Sequence, residues 1–167
     1  MLTPQERACC FTGSRKVENP FAILAKLMPE LDRLTALGVT DFYCGAAVGF
    51  DLIAARAVIG LRRECPGIRL ICALPCRDQA RFWGAPETRA YEAIVQMADE
   101  TRLVSERYFS GCMQKRNRYM VDRSRFCIAY MPRQNGGTFY TVSYAQRRGL
   151  EIIHLTPQPQ SPQLTLW

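Results

Sequence analysis

The 167-residue chain is poor in the groups that most often announce chemistry: it has one histidine, His154, and two tryptophans. Its eight cysteines (Cys9, Cys10, Cys44, Cys65, Cys72, Cys76, Cys112 and Cys127) include no C-x-x-C pair. The closely spaced ligands of a zinc site are therefore missing. No apolar run reaches the roughly 18 residues that a membrane span needs. There is no G-x-x-x-x-G-K-[ST], no H-E-x-x-H, no G-x-S-x-G and no paired-carboxylate motif, which sets aside P-loop, zincin and nucleophile-elbow chemistry. The segment Met1–Arg7 lacks the charged-then-apolar order of a signal peptide. The expectation is a cytoplasmic protein with no membrane partner, no metal site and no cofactor.

What is present is an ordinary globular composition, 48% hydrophobic and 22% charged, of a length that suits one domain with a sizeable core. That domain is expected over 1–155. Three prolines among glutamines between Thr156 and Gln163 mark 156–167 as a separate tail. The net charge is +7, and residues 101–150 alone carry ten Lys/Arg against Glu106 and Asp122. A basic half suits an anionic ligand or nucleic acid, and a merely solvated basic face would look the same. Cysteines inside apolar runs read as small hydrophobes.

Short apolar runs alternate with helical patterns from residue 7 to residue 155. Strands are expected at Arg7–Thr12, Asp41–Cys44, Ile68–Leu74, Arg102–Val104, Phe126–Tyr130 and Glu151–Leu155. Asn19-Pro20 reads as an N-cap followed by proline at the first helical position, and Gly38 closes that helix. Further helices are expected over 49–63, 86–97, 112–123 and 138–148. Strands separated by helices imply crossover connections and an α/β, Rossmann-like fold, with a mainly parallel sheet and helices on both faces. In such sheets, ligands bind outside the carboxyl ends of the strands, at the switch point.

Three strand-to-helix turns carry small or polar residues suited to phosphate. They are Thr12-Gly13-Ser14-Arg15, Gly45-Ala46-Ala47-Val48-Gly49-Phe50-Asp51, and Gly136-Gly137-Thr138. Glycine lets backbone approach a ligand, and helix N-termini offer unpaired N–H groups. Arg15 is a bidentate phosphate donor or an ordinary surface arginine. Asp51 accepts ribose hydroxyls, acts as a general base, or simply stabilises a helix N-terminus. Asn117 shares a face with Met113, Met120 and Val121, so its amide needs partners in a ligand or in the next strand. Asp122 is placed to pair with Arg118. Trp83 and Tyr91 either stack on a base or pack in the core.

These turns resemble the YpsA-like branch of the SLOG superfamily, which also includes the LOG phosphoribohydrolases and the DNA-processing protein DprA. The resemblance rests on Cys10–Arg15, Gly45–Asp51 with Ala54-Ala55, Pro75 through Gln79 to Trp83, Arg116–Asp122 with Ser124, and Gly136–Thr138. It implies a Rossmann-like fold with a nucleotide-derived ligand at Gly13 and Arg15, a second wall of Gly45, Gly49 and Asp51, and a phosphate received by Gly136, Gly137 and Thr138. The turns themselves and the Asn117 amide add Thr12, Ser14, Ala46 and Asn117 to the expected ligand set. Ser14 and Lys16 stand where many relatives carry histidine and proline. The LOG enzymes follow P-G-G-x-G-T with a glutamate, and none follows Thr138 in its helix here. Asp51 is the nearby acid left for catalysis.

Three functions follow. The first is a sensor or regulatory module that binds a nucleotide or a nucleotide-derived phosphate. The second is a LOG-like hydrolase of an N-glycosidic or phosphate bond, with Asp51 as the acid–base residue. The third is DprA-like nucleic-acid binding. A homodimer is expected by the same resemblance.

Overall fold

The computed structural model describes residues 1–158. Six strands alternate with five helices: β1 (Ala8–Gly13), α1 (Pro20–Ala36), β2 (Asp41–Cys44), α2 (Phe50–Glu64), β3 (Arg69–Leu74), α3 (Ala85–Met97), β4 (Glu100–Leu103), α4 (Cys112–Asp122), β5 (Phe126–Tyr130), α5 (Gly136–Arg147) and β6 (Glu151–His154). The strands form one sheet in the order β4-β3-β2-β1-β5-β6, and every neighbouring pair is parallel. The fold class is therefore the α/β, Rossmann-like one, wholly parallel rather than mainly so. Of the tail expected over 156–167, residues 159–167 lie outside the described residues.

Strand alternation explains the two hydrophobic layers. Successive side chains point to opposite faces. Cys9, Phe11, Phe42, Leu70, Cys72, Phe126 and Ile128 face one cluster, which they share with Leu27, Leu31 and Leu34 of α1, Val58 of α2 and Ile94 of α3. Cys10, Ala73 and Cys127 face the other, with Met120 and Val121 of α4 and Ala145 of α5. Helices α1 to α3 thus cover one face of the sheet, while α4 and α5 cover the other. Seven of the eight cysteines are buried, and all eight are free thiols. They pack as small apolar groups.

Local chemistry sets the element ends. Asn19 Oδ1 accepts a hydrogen bond from the Ala22 backbone N–H at 3.1 Å, which caps α1. Gly38 follows α1 with φ of 96°, a left-handed value that favours glycine. Pro29 lies inside α1, where it removes one intrahelical donor. No helix of the described residues is long and apolar enough to cross a membrane.

Candidate functional site

Strand order reverses between β1 and β5, the switch point of the sheet. The carboxyl ends of these two strands stay joined there, because the Ser14 N–H donates to the Tyr130 carbonyl at 3.0 Å. The Ser14 carbonyl in turn accepts from Phe50 N–H at 3.1 Å, so the β1 turn is held between β5 and the start of α2. Above this junction lies a cavity of about 450 Å³.

The cavity brings together Thr12, Gly13, Ser14 and Arg15 from the first turn, Asp51 from α2, Asn117 from α4, and Gly137 and Thr138 from α5. Lys16, Arg133 and Arg116 add positive charge, and Glu18 adds a second acid. Arg15, Lys16 and Arg133 have no ion-pair partner among the described residues. No side chain caps α5, whose first turn borders the cavity through Gly137 and Thr138. Its N–H groups can therefore meet an anion there.

Gly45, Ala46, Gly49 and Gly136 lie outside the cavity lining. A Cβ on Gly45 would fall 2.5 Å from Arg116 Nη1 and 2.9 Å from Asp51 Oδ2. Gly49 has φ of 91°, and a Cβ there would collide with the backbone carbonyl of Arg15. Gly13 lines the cavity, yet its missing side chain also makes room for the Phe50 ring. Space at Gly45 and Gly49 therefore serves the protein's own packing: it seats Arg116 and lets the Arg15 turn rest on the start of α2. Ala46 is fully buried with φ of 54°, and Gly136 takes φ of 74° at the start of α5.

Asp51 is buried, with Oδ2 accepting from the Ala47 N–H at 3.2 Å. Burial raises its pKa to about 6, against the opposing pull of Arg116, the Ala47 N–H and Arg15. It is a buried carboxyl at the wall of a cationic cavity, poised to gain or lose a proton near neutral pH.

Arg116, which sequence reasoning did not single out, is the structural centre of this wall. It is buried in α4. Its Nη1 donates to the Gly45 carbonyl at 2.7 Å and to the Ala73 carbonyl at 3.2 Å, and Nε donates to Asn117 Oδ1 at 2.8 Å. Nη2 donates to the Met113 sulfur at 3.8 Å. Burial lowers its pKa, but a guanidinium remains charged. The signal was in the spacing: Cys112, Arg116 and Met120 recur every four residues, which puts arginine on the inward face.

Asn117 lines the cavity and bonds no strand backbone. Its amide accepts from Arg116 and donates to Thr141 Oγ1 at 2.9 Å, making it a strut between α4 and α5. Gln79 is buried and donates to the Gly45 carbonyl at 3.2 Å, closing the wall from the β3 side. Trp83 and Tyr91 stack edge to face on each other at 5.4 Å and do not line the cavity, because the apolar layer beside α3 claims both rings. The expected Arg118–Asp122 pair does not form. Arg118 donates to Tyr140 Oη at 2.8 Å, while Asp122 accepts from Tyr144 Oη at 2.7 Å and pairs with Arg148, since α5 offers closer partners than the helix's own next turn. His154 lies in β6 away from the cavity.

Comparison with known proteins agrees with this architecture. The YpsA family model, described as the YspA SLOG family, matches residues 14–155. The SPbeta prophage-derived protein YoqJ of Bacillus subtilis is 30% identical over 147 residues, covering 79% of this chain and 86% of that one. The UPF0398 protein YpsA of B. subtilis is 26% identical over 130 residues, 76% of this chain and 70% of its own length. Among solved structures, DprA from Streptococcus pneumoniae superposes with a TM-score of 0.63 at 18% identity, over 94% of this chain and 52% of that protein. The chain thus spans about half the pneumococcal protein. DprA from Helicobacter pylori, whose structure addresses a single-stranded DNA binding mode, gives 0.65 at 20% identity over 95% of this chain and 68% of its own. At these identities the DprA matches show a shared fold. With most of its length matched by the family model, the chain belongs to the YpsA SLOG family.

Proposed function

We propose that the protein binds a nucleotide or nucleotide-derived phosphate in the switch-point cavity and acts as a sensor or regulatory module. The carrying observation is the convergence on one cavity of Arg15, Lys16 and Arg133, which have no ion-pair partner among the described residues, and of the first turn of α5, which no side chain caps there. Oriented N–H groups and a bidentate guanidinium suit phosphate oxygens. A volume of about 450 Å³ lies within the range that holds small ligands. Asp51 is the wall's acceptor for a ribose hydroxyl.

The test is calorimetric titration with AMP, ADP, ADP-ribose and NAD, repeated on Arg15→Ala. Saturable binding that weakens by about tenfold in the variant is expected, as for the loss of one charge-assisted contact. Binding unchanged in Arg15→Ala, or no binding of any of the four, rejects this reading. Product analysis on each bound ligand separates a sensor from a hydrolase. The hydrolase reading draws support from the elevated pKa of Asp51 in a cleft, and it requires turnover that Asp51→Asn abolishes while binding persists.

A second reading, nucleic-acid binding, is supported by the fold shared with H. pylori DprA and by the basic character of residues 101–150. It calls for binding of single-stranded oligonucleotides that falls steeply with added salt.

A further inference from the structure

The exposed aromatic side chains of this protein are not scattered. Among the described residues, the large hydrophobics that stand out in solvent include five aromatics: Phe21 (84% exposed), Phe82 (84%), Tyr108 (61%), Phe109 (43%) and Phe139 (43%). All five lie at the carboxyl edge of the sheet. Phe21 and Phe139 occupy the first turns of α1 and α5, which flank the cavity. Phe82 lies in the loop between β3 and α3, and Tyr108 and Phe109 in the loop between β4 and α4. Two non-aromatic members of the same group, Leu37 and Met97, sit at the opposite edge, where α1 and α3 end.

Cations are interleaved with these rings. The five loops at the carboxyl edge (14–19, 45–49, 75–84, 104–111 and 131–135) hold Arg15, Lys16, Arg77, Arg81, Arg107 and Arg133 against Glu18, Asp78 and Glu106. The Arg81 guanidinium lies 4.4 Å from the centre of the Phe82 ring, and Lys115 Nζ lies 5.8 Å from that of Phe109. The two outer loops meet where Arg77 Nε donates to Glu106 Oε2 at 2.6 Å.

We infer that the carboxyl edge is a stacking platform for single-stranded nucleic acid, with Phe82, Tyr108 and Phe109 receiving bases from a strand that runs outward from the switch-point cavity. The inference rests on the nucleic-acid reading above and names the surface and the chemistry that reading needs. Bases stack on exposed rings while cations follow the phosphates, and this combination tolerates any sequence. A protein interface would gather its apolar groups into a continuous core depleted of lysine. Here the rings stand on two loops and two helix starts, with cations between them. From β5 to β4 the edge crosses four strand intervals, roughly 19 Å at the usual spacing, which is room for several nucleotides.

The experiment measures fluorescence anisotropy with labelled oligo-dT and oligo-rU of about four and about twelve nucleotides, with heparin as a polyanion that lacks bases. The variant carries Phe82→Ser, Tyr108→Ser and Phe109→Ser together, and its melting temperature is compared with that of the parent. Binding is expected to strengthen with length, and to weaken by about tenfold or more in the variant while heparin and mononucleotide binding stay unchanged. Phe82→Trp, which keeps a stacking face, is expected to retain full affinity, so the inference does not hang on the triple variant alone. The DNA and RNA arms decide which strand is preferred.

Oligonucleotide binding that ignores the triple variant, or that Phe82→Trp weakens as much as the triple variant does, overturns the platform and leaves the nucleic-acid reading standing. No oligonucleotide binding at all overturns both. Self-association that the triple variant abolishes makes the rings a contact between copies, and this too overturns the platform.

Discussion

Asp51 is held in α2 with one oxygen on the Ala47 N–H and with burial raising its pKa from 3.8 to about 6. A group whose folded pKa is raised binds its proton more tightly in the native state. The stability it contributes is complete below its unfolded pKa and is lost as pH climbs through about 6. The difference in unfolding free energy between the parent and Asp51→Asn should therefore fall by on the order of 3 kcal/mol between about pH 3 and pH 7. Denaturant titrations at several pH values measure it; a flat difference contradicts this account of Asp51. Gly45 makes a second residue-scale prediction. The Cβ of Gly45→Ala would sit 2.5 Å from Arg116 Nη1, so the buried guanidinium must move. Destabilisation of about 2 kcal/mol is expected from such overpacking, read from the urea midpoint. In the sequence Gly45 reads as a place for a ligand to come close; in the structure the Arg116 side chain, 71 residues away, approaches it. No local pattern shows that approach, because it depends on where α4 docks.

Among the elements, α4 does more than cover the sheet. Through Arg116 it reaches the Gly45 carbonyl, just beyond the end of β2, and the Ala73 carbonyl of β3. Arg116→Met keeps much of the volume but leaves these acceptors with one donor fewer. A loss of about 3 kcal/mol is expected from the uncompensated buried groups, and Arg118→Met, at a partly exposed position, should cost far less. Equal losses in the two variants would show that α4 is held by its apolar contacts alone. The elements themselves were largely legible. The bounds of β2 and β5 match the sequence reading, and the helices depart from it by a residue or two, most visibly where α5 starts at Gly136 rather than Thr138. Pro29 did not mark an end because its missing donor falls in a helix whose other face is anchored by Ile23, Leu27, Leu31 and Leu34. The inward face of α4 lies one position from the sequence expectation: Met113, Met120 and Val121 point to Asn117, whereas the buried position belongs to its neighbour Arg116.

For the whole molecule, the reversal of strand order places the candidate site at one edge of the sheet and leaves the other edge to turns. A ligand that binds only the native state at a hundred times its Kd should raise stability by about 2.7 kcal/mol. Hydrogen exchange should then slow at Ser14–Lys16 and Gly137–Thr138 and stay unchanged in the turn from Leu37 to Thr40, at the opposite edge. Protection spread evenly over both edges would point away from the switch point. Because Arg15, Lys16 and Arg133 bring positive charge to the cavity, affinity should also fall as salt rises.

By itself, the sequence determined the alternation of strands and helices, the α/β class, the turns that cluster at the carboxyl edge and the family resemblance. These depend on hydrophobic period, caps and glycine positions, all of which act over a few residues. Only the tertiary structure decided that the glycines of the second turn accommodate Arg116 and Arg15, that Asn117 is a strut, that Trp83 and Tyr91 pack edge to face on each other, and that five exposed rings share one edge with the cavity. Each of these joins residues from different crossovers, and contact between them exists only once the parallel sheet has set their order.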